Sequence, residues 1–429
     1  MKSTQPAWIR NMPAPDTVVV HRFPNGLQLY LYENHSVPAV VVNGALRVGS
    51  VCDPPEKYGL ATLMAGMLRR GTRSHSFTQL NEQIESVGAT VELSGGRHAL
   101  DIYAKALAED LDMVLTLIAE MLQEPAFPED EFQRLKQQTL TRIQERDNDT
   151  HSMAYITFRR LLYGATHPYG HPVTGNRESV SRITYDDVRS FYNQHVGPQN
   201  GQFVIVGDID PVDVITRMDA LFSQWHGPSC SVQIPNVQPP SAVRSEHVTI
   251  TDKAQSDFVL GWLCVPRKHP DWTPVVVANT IWGRFGMGGR IGEQVREKQG
   301  LAYYVYGSVE GNFAAGTWSA VAGVSPDKVQ QAVDSILVEV QRLREEPVTA
   351  QELADAQEFL IGSMPIRLET NEGIAAAISD MVWYDLGLDY LLHLEDRVRK
   401  VTPEDVQRVA QTYLDVDAYV LAVAGPSPY

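Results

Sequence analysis

Two pairs of stretches decide how this chain folds. Residues 183–188 read Ile-Thr-Tyr-Asp-Asp-Val and residues 202–207 read Gln-Phe-Val-Ile-Val-Gly. Residues 401–406 read Val-Thr-Pro-Glu-Asp-Val and residues 419–425 read Tyr-Val-Leu-Ala-Val-Ala-Gly. In each pair a threonine, with an acid near its third following position, caps a short helix. A β-branched strand comes next. Thr402 lies 218 residues after Thr184, and Gly425 lies 218 residues after Gly207. One shared offset at two landmarks points to an internal duplication.

Working outward, residues 228–244 (GPSCSVQIPNVQPPSAVR with its flanking Gly227) are rich in proline and serine and read as a linker. That divides the chain into a lead-in (1–17), a first domain (18–227), the linker and a second domain (245–429). Each half opens with strands. Residues 18–49 hold a hairpin around Pro24-Asn25-Gly26 and a further strand. Strands are expected again at 90–94 and 100–106, and helices at 59–69, 77–87, 109–122 and 129–147. In the second half, 247–250 and 257–265 are strand-like, while 273–282, 289–297, 326–343 and 350–370 are helical. The alternation is not that of a doubly wound sheet. The expected class is α+β: two homologous domains, each a mainly antiparallel sheet with helices packed on one side.

The chain has 429 residues and a net charge of −16. That balance argues against a nucleic-acid backbone or an anionic membrane as the main partner. No run of about 18 apolar residues is present, and no apolar stretch follows the polar start, so a cytoplasmic protein is expected. Cys52, Cys230 and Cys264 lie far apart and outside any C-x-x-C spacing, which argues against a cysteine metal cluster and a disulfide scaffold. Among twelve histidines no His-x-x-x-His occurs on a helical pattern. His167 and His171 flank Pro168 and Gly170 and read as polar loop residues. No nucleophile elbow, Walker loop or dinucleotide fingerprint is present. Residues 283–289 (GRFGMGG) lack the Lys-Ser/Thr end of a phosphate loop.

Several landmarks nevertheless occur in a telling order: Phe23-Pro-Asn-Gly26, Gly59-Leu-Ala61, Gly71-Thr72, Gly88-Ala89, His167-Pro-Tyr169, Asn200 with Val206-Gly207-Asp208, and the specific run Val295-Arg-Glu-Lys-Gln-Gly-Leu-Ala-Tyr303. Leu368-Glu-Thr370 and Asp389-Tyr390 follow. With these the chain resembles the pitrilysin-type zinc peptidases, family M16. That group includes insulin-degrading enzyme, the mitochondrial processing peptidase and the core proteins of the cytochrome bc1 complex. The resemblance spans residues 18–425 and implies the duplicated LuxS/MPP-like metallohydrolase fold.

In active members Gly-Leu-Ala is followed by His-Phe-Leu-Glu-His. Here residues 62–66 are Thr-Leu-Met-Ala-Gly. The resemblance therefore sets Thr62 and Gly66 where two zinc-binding histidines stand, and Ala65 where a glutamate activates water. It sets Arg142 at the third ligand and Leu135 at a supporting glutamate. None of these can bind zinc, and Ala65 cannot take a proton. The implication is a chain with no metal and no peptidase activity alone.

One element of the active family is retained. An arginine and a tyrosine seven residues apart match Arg296 and Tyr303. Tyr303 would donate to the scissile carbonyl, and Arg296 would hold substrate or the tyrosine, both at a partner's zinc. The plain alternative is an Arg296 ion pair with Glu293 or Glu297 and ordinary strand aromatics at Tyr303, Tyr304 and Tyr306. Gly286, Gly288 and Gly289 are expected to shape a substrate approach. The resulting expectation is the substrate-binding subunit of a heterodimeric zinc endopeptidase, acting on peptides with a His-x-x-Glu-His partner that carries the zinc. Two other readings stand beside it: a scaffold like the bc1 core proteins, and a homodimeric peptide-binding protein.

Overall fold

The computed structural model describes residues 12–228, 230, 232–284 and 289–426. Contacts gather them into two units. One holds the chain up to Ile143, Pro172–Gln233 and Pro365–Leu392; the other holds Gln144–His171, Ile234–Met364 and the chain from His393. Both units draw on both sides of residues 228–244.

The first unit is built on β1 (Val19–Arg22), β2 (Gln28–Glu33), β3 (Ala39–Leu46), β4 (Thr90–Gly95), β5 (Leu100–Leu107) and β6 (Gln202–Gly207). Their order across the sheet is β1-β2-β6-β3-β5-β4. Only β2 and β6 run parallel. Asn25 pins the first turn: its side-chain oxygen accepts from the Leu27 amide at 3.2 Å, and its amide donates to Phe222 O at 2.6 Å. Alternation along β3 sends Val40, Val42 and Leu46 to a core shared with helices Leu60–Leu68, Leu111–Gln123 and Pro211–Phe222. Asn43 and Ala45 point to the other face. There they line a cavity of about 290 Å³ with Ser379, Asp380 and Trp383 of helix Asn371–Trp383.

The second unit is built on β7 (Arg244–Thr249), β8 (Ser256–Cys264), β9 (Ala302–Glu310), β10 (Gly316–Val324) and β11 (Val420–Gly425). Their order is β7-β11-β8-β10-β9, with β7 and β11 parallel. Without β1, the first sheet has the same order strand for strand. The duplicated α+β class expected from the sequence is therefore what the chain adopts. Both capping boxes form: Thr184 and Thr402 each accept from the amide of the acid three residues on, Asp187 and Asp405, at 3.2 Å.

The repeat has one twist in its connectivity. Helix Thr150–Tyr163, from the first half of the sequence, packs on β8 and β11 of the second unit. Helix Asn371–Trp383, at nearly the repeat offset, packs on β3 and β6 of the first unit. Equivalent helices are exchanged between the repeats.

The cysteine reading needs correction. Cys52 and Cys230, 178 residues apart, form a disulfide within the first unit. Sequence spacing is blind to such a bond because the fold, not the chain, brings the two together. Cys264 is free and buried. Among the described residues no helix is long and apolar enough to cross a membrane.

Candidate functional site

Helix Leu60–Leu68 carries the residues that the resemblance set against a zinc site, and its start is fixed by a carboxylate. Asp53 Oδ2 accepts from the Gly59 amide at 2.7 Å and Oδ1 from the Ala61 amide at 2.8 Å. Burial pushes the Asp53 carboxyl up to about 7, against the pull of the backbone amides of Ala61, Gly59 and Leu60.

Of the residues that the resemblance set at the zinc positions, three are engaged within the fold. Thr62 donates its hydroxyl to Val173 O at 2.7 Å and, more weakly, to Gly95 O at 3.4 Å. Ala65 is fully buried. A β-carbon on Gly66 would stand 2.9 Å from a Leu135 methyl, so Leu135 fills the space above it. Arg142 lies exposed further along the same helix, Glu129–Asp147. Zinc takes three or four N, O or S donors. A committed hydroxyl, an alanine, a bare backbone and a leucine do not fit it. Among the described residues no group of three or more His, Cys, Asp or Glu side chains converges as a metal site. The His167–His171 loop has its own occupation: His167 Nδ1 accepts from the Tyr169 amide at 3.0 Å and Nε2 donates to Pro235 O at 3.0 Å.

Arg296 and Tyr303 lie in the second unit. Arg296 sits near the end of a π-helical segment, Gly292–Lys298. The Gly300 amide bonds Arg296 O at 3.0 Å and the Leu301 amide bonds Val295 O at 2.9 Å, which turns the chain into β9. The guanidinium is 3.6 Å from the Glu297 carboxylate, while Glu293 pairs with Lys298 at 2.8 Å. The side chain of Arg296 is 41% exposed. Tyr303 is 83% exposed and makes no hydrogen bond among the described residues.

The register of β9 explains it. Tyr304 pairs with Gly323, but the next pair is Ala302 with Val324. Tyr303 is thus the extra residue of a β-bulge. Val305 faces the core, and strict alternation would send Tyr303 the same way. The bulge gives that core place to Ala302 and releases Tyr303 to solvent. Nothing in the sequence Ala302-Tyr-Tyr-Val-Tyr306 marks the bulge, because either tyrosine suits either face.

Gly289 has φ +65°, and a β-carbon there would stand 2.6 Å from Ile281 O. It is a close-approach residue of the backbone. Gly286 and Gly288 lie outside the described residues. Beside Gly289 is a cavity of about 370 Å³ lined by Arg290, Glu293, Glu297, Glu352 and Asp355. Arg290 is paired there to Glu352 through two bonds of 2.7 and 2.9 Å, which hold the Glu352 carboxyl down at about 2.

Residues 30–164 match the family described as Insulinase (Peptidase family M16), and residues 182–360 match the one described as Peptidase M16 inactive domain. The chain belongs to peptidase family M16. Within M16 it is similar to an uncharacterized zinc protease of Streptomyces coelicolor, 27% identical over 403 residues, or 91% of this chain and 86% of the relative. It is also similar to the non-peptidase homolog YmxG of Helicobacter pylori, 24% identical over 91% of this chain and 90% of that one. The crystal structure of a peptidase M16 inactive domain from Pseudomonas fluorescens superposes with a TM-score of 0.88 at 25% identity, covering 96% of this chain and 98% of that one. M16 relatives thus carry both peptidase and non-peptidase descriptions. In this M16 chain Thr62 is committed to Val173 O, Ala65 is buried and Leu135 fills the space above Gly66.

Proposed function

We propose that this chain is the noncatalytic, substrate-binding subunit of a heterodimeric M16 endopeptidase. A homologue with His-x-x-Glu-His supplies the zinc and the base. This chain supplies Tyr303, and with it Arg296, to peptide bound at that zinc. The observation that carries the reading is Tyr303 itself: a phenol turned out of its own core by a bulge and left without a hydrogen-bond partner among the described residues. As a donor to a developing oxyanion it would be worth on the order of 10²-fold in rate.

The test is reconstitution with the zinc-bearing homologue and a quenched peptide. Activity is expected only in the mixture, with zinc following the homologue. Tyr303→Phe is expected to lower kcat/KM about 10²-fold without preventing assembly. Zinc and hydrolysis from this chain alone, or an unchanged kcat/KM for Tyr303→Phe, would overturn the reading. No stimulation in the mixture would favour a scaffold or a homodimeric peptide-binding protein.

A further inference from the structure

The first sheet has a face that its covering helix leaves partly open. Strand register sets Gln202 on β6, Ala45 on β3 and Asp101 on β5 in one row across that face, and Asn43 beside Tyr103 in the next. Helix Asn371–Trp383 packs over β3 and β6. Its last turn and the uncovered part of β5 wall the cavity of about 290 Å³.

The polar groups around this cavity are not spent on the fold. Asn43, Asp101 and Tyr103 line it and make no side-chain hydrogen bond among the described residues. Ser379 Oγ is buried and has no partner. The Gln202 amide donates to Ser379 O over a long 3.4 Å. Polar groups in such places ordinarily have partners.

The charge is one-sided. Asp101 and Asp380 are in the lining, with no lysine, arginine or histidine beside them. Lys105, one step along the same face of β5 from Tyr103, is held by Glu372 at 2.5 Å. Arg47 lies 3.7 Å from the centre of the Trp383 ring and donates to Trp383 O at 3.1 Å, which fixes that wall without entering the lining. Asp101 is open to solvent at the cavity, yet burial by the surrounding walls pushes its carboxyl up to about 6. Its Oδ2 uses the room left by Gly96, where a β-carbon would stand 2.6 Å away. Water can serve the amide and the hydroxyls, but it brings no charge to offset a carboxylate in a recess.

We propose that this cavity is a binding site for a guanidinium or alkylammonium group. Asp101 and Asp380 supply the charge, and Asn43 and Ser379 accept further N–H groups. The rings of Tyr103 and Trp383 line the space for an aliphatic stem. Two sources carry such a head: a basic side chain of a peptide, and a free amine. The site lies in the first unit and needs neither Tyr303 nor a zinc-bearing partner, so it stands or falls separately from the function proposed above.

The test is saturation-transfer NMR on the full chain alone. The probes are methylguanidinium and butylammonium, with methylurea and butanol as their neutral counterparts. A cation is expected to bind and its neutral counterpart is not. Asp101→Asn and Asp380→Asn are each expected to weaken that binding about tenfold. Asp213→Asn, an exposed carboxylate on helix Pro211–Phe222, is expected to leave it unchanged. Cooperative melting of each variant shows that the fold is kept. Nα-acetyl-arginine amide separates the sources. If it binds at least as tightly as methylguanidinium, the site takes peptide side chains; if it is excluded while the small cations bind, the site takes free amines. Cations binding no better than their neutral counterparts, or binding that survives both Asp101→Asn and Asp380→Asn, would overturn the proposal.

Discussion

A Leu135 methyl lies 2.9 Å from the point where a β-carbon on Gly66 would stand. The leucine has closed over the backbone at a position that the resemblance set against a zinc ligand. Gly66→His is therefore expected to cost about 1–3 kcal/mol through overpacking. Leu135→Ala in the same chain should recover part of that loss. Urea midpoints of the single and double variants check it. Equal stability of Gly66→His and the parent would mean that the space is open.

Asp53 gives a pH dependence. Its carboxyl is raised from 3.8 to about 7, so the native chain binds a proton there that the unfolded chain lacks between those values. Unfolding free energy then falls as pH rises from about 4 to 7, and this contribution is fully present only below the unfolded pKa. Asp53→Asn, which cannot titrate, should flatten that slope. Urea unfolding across the window reads the difference. A parent slope that the asparagine variant retains would move the effect to another group.

Arg159 holds a second network. Its side chain is 4% exposed and bonds Glu310 at 2.9 Å, Tyr169 O at 3.0 Å and the Tyr155 hydroxyl at 3.1 Å. The guanidinium also lies 5.0 Å from the centre of the Tyr163 ring. Arg159→Met should cost about 3 kcal/mol, because it strands Glu310 and the Tyr169 carbonyl. Arg159→Lys should not rescue it, since an ammonium cannot span the fork. Adding Glu310→Gln to Arg159→Met should recover part of the loss in chemical denaturation.

The disulfide predicts a redox dependence. Cys52 and Cys230 close a long loop, and reduction frees the unfolded chain more than the folded one. Guanidinium unfolding with and without reductant should differ by about 2–5 kcal/mol. Cys52→Ser and Cys230→Ser should each match the reduced parent and show no response to reductant.

The sequence was legible where the local pattern and the fold agree. Thr184 and Thr402 cap the helices that their spacing announces, and β6 and β11 are the strands that follow. Helix Glu129–Asp147 has the limits expected of it. The stretch 273–282 was legible only in part. The α-helix Trp272–Asn279 passes into a π-helical turn, Thr280–Arg284, which apolar periodicity does not distinguish. Helix Thr150–Tyr163 has a hydrophobic face, but a repeating pattern cannot say which sheet receives it. At the site, the residue types at 62, 65, 66 and 142 carried the expectation of no zinc, because none of them is a customary zinc ligand. Tyr303 was singled out from its spacing to Arg296, but its exposure follows from the bulge opposite Gly323 and Val324, which lie 20 or more residues away.

The exchanged helices bear on the order in which the protein can be made. Synthesis runs from the N-terminus, and domains usually close as they emerge. The sheet of the first unit is fully translated once β6 is out, yet the helix that covers β3 and β6 is Asn371–Trp383. Helix Thr150–Tyr163 emerges early and must wait for β8 and β11, the latter ending at Gly425. Neither repeat can be finished before nearly the whole chain has left the ribosome. Contacts this distant in sequence slow closure, and they tie the survival of each repeat to the synthesis of the other.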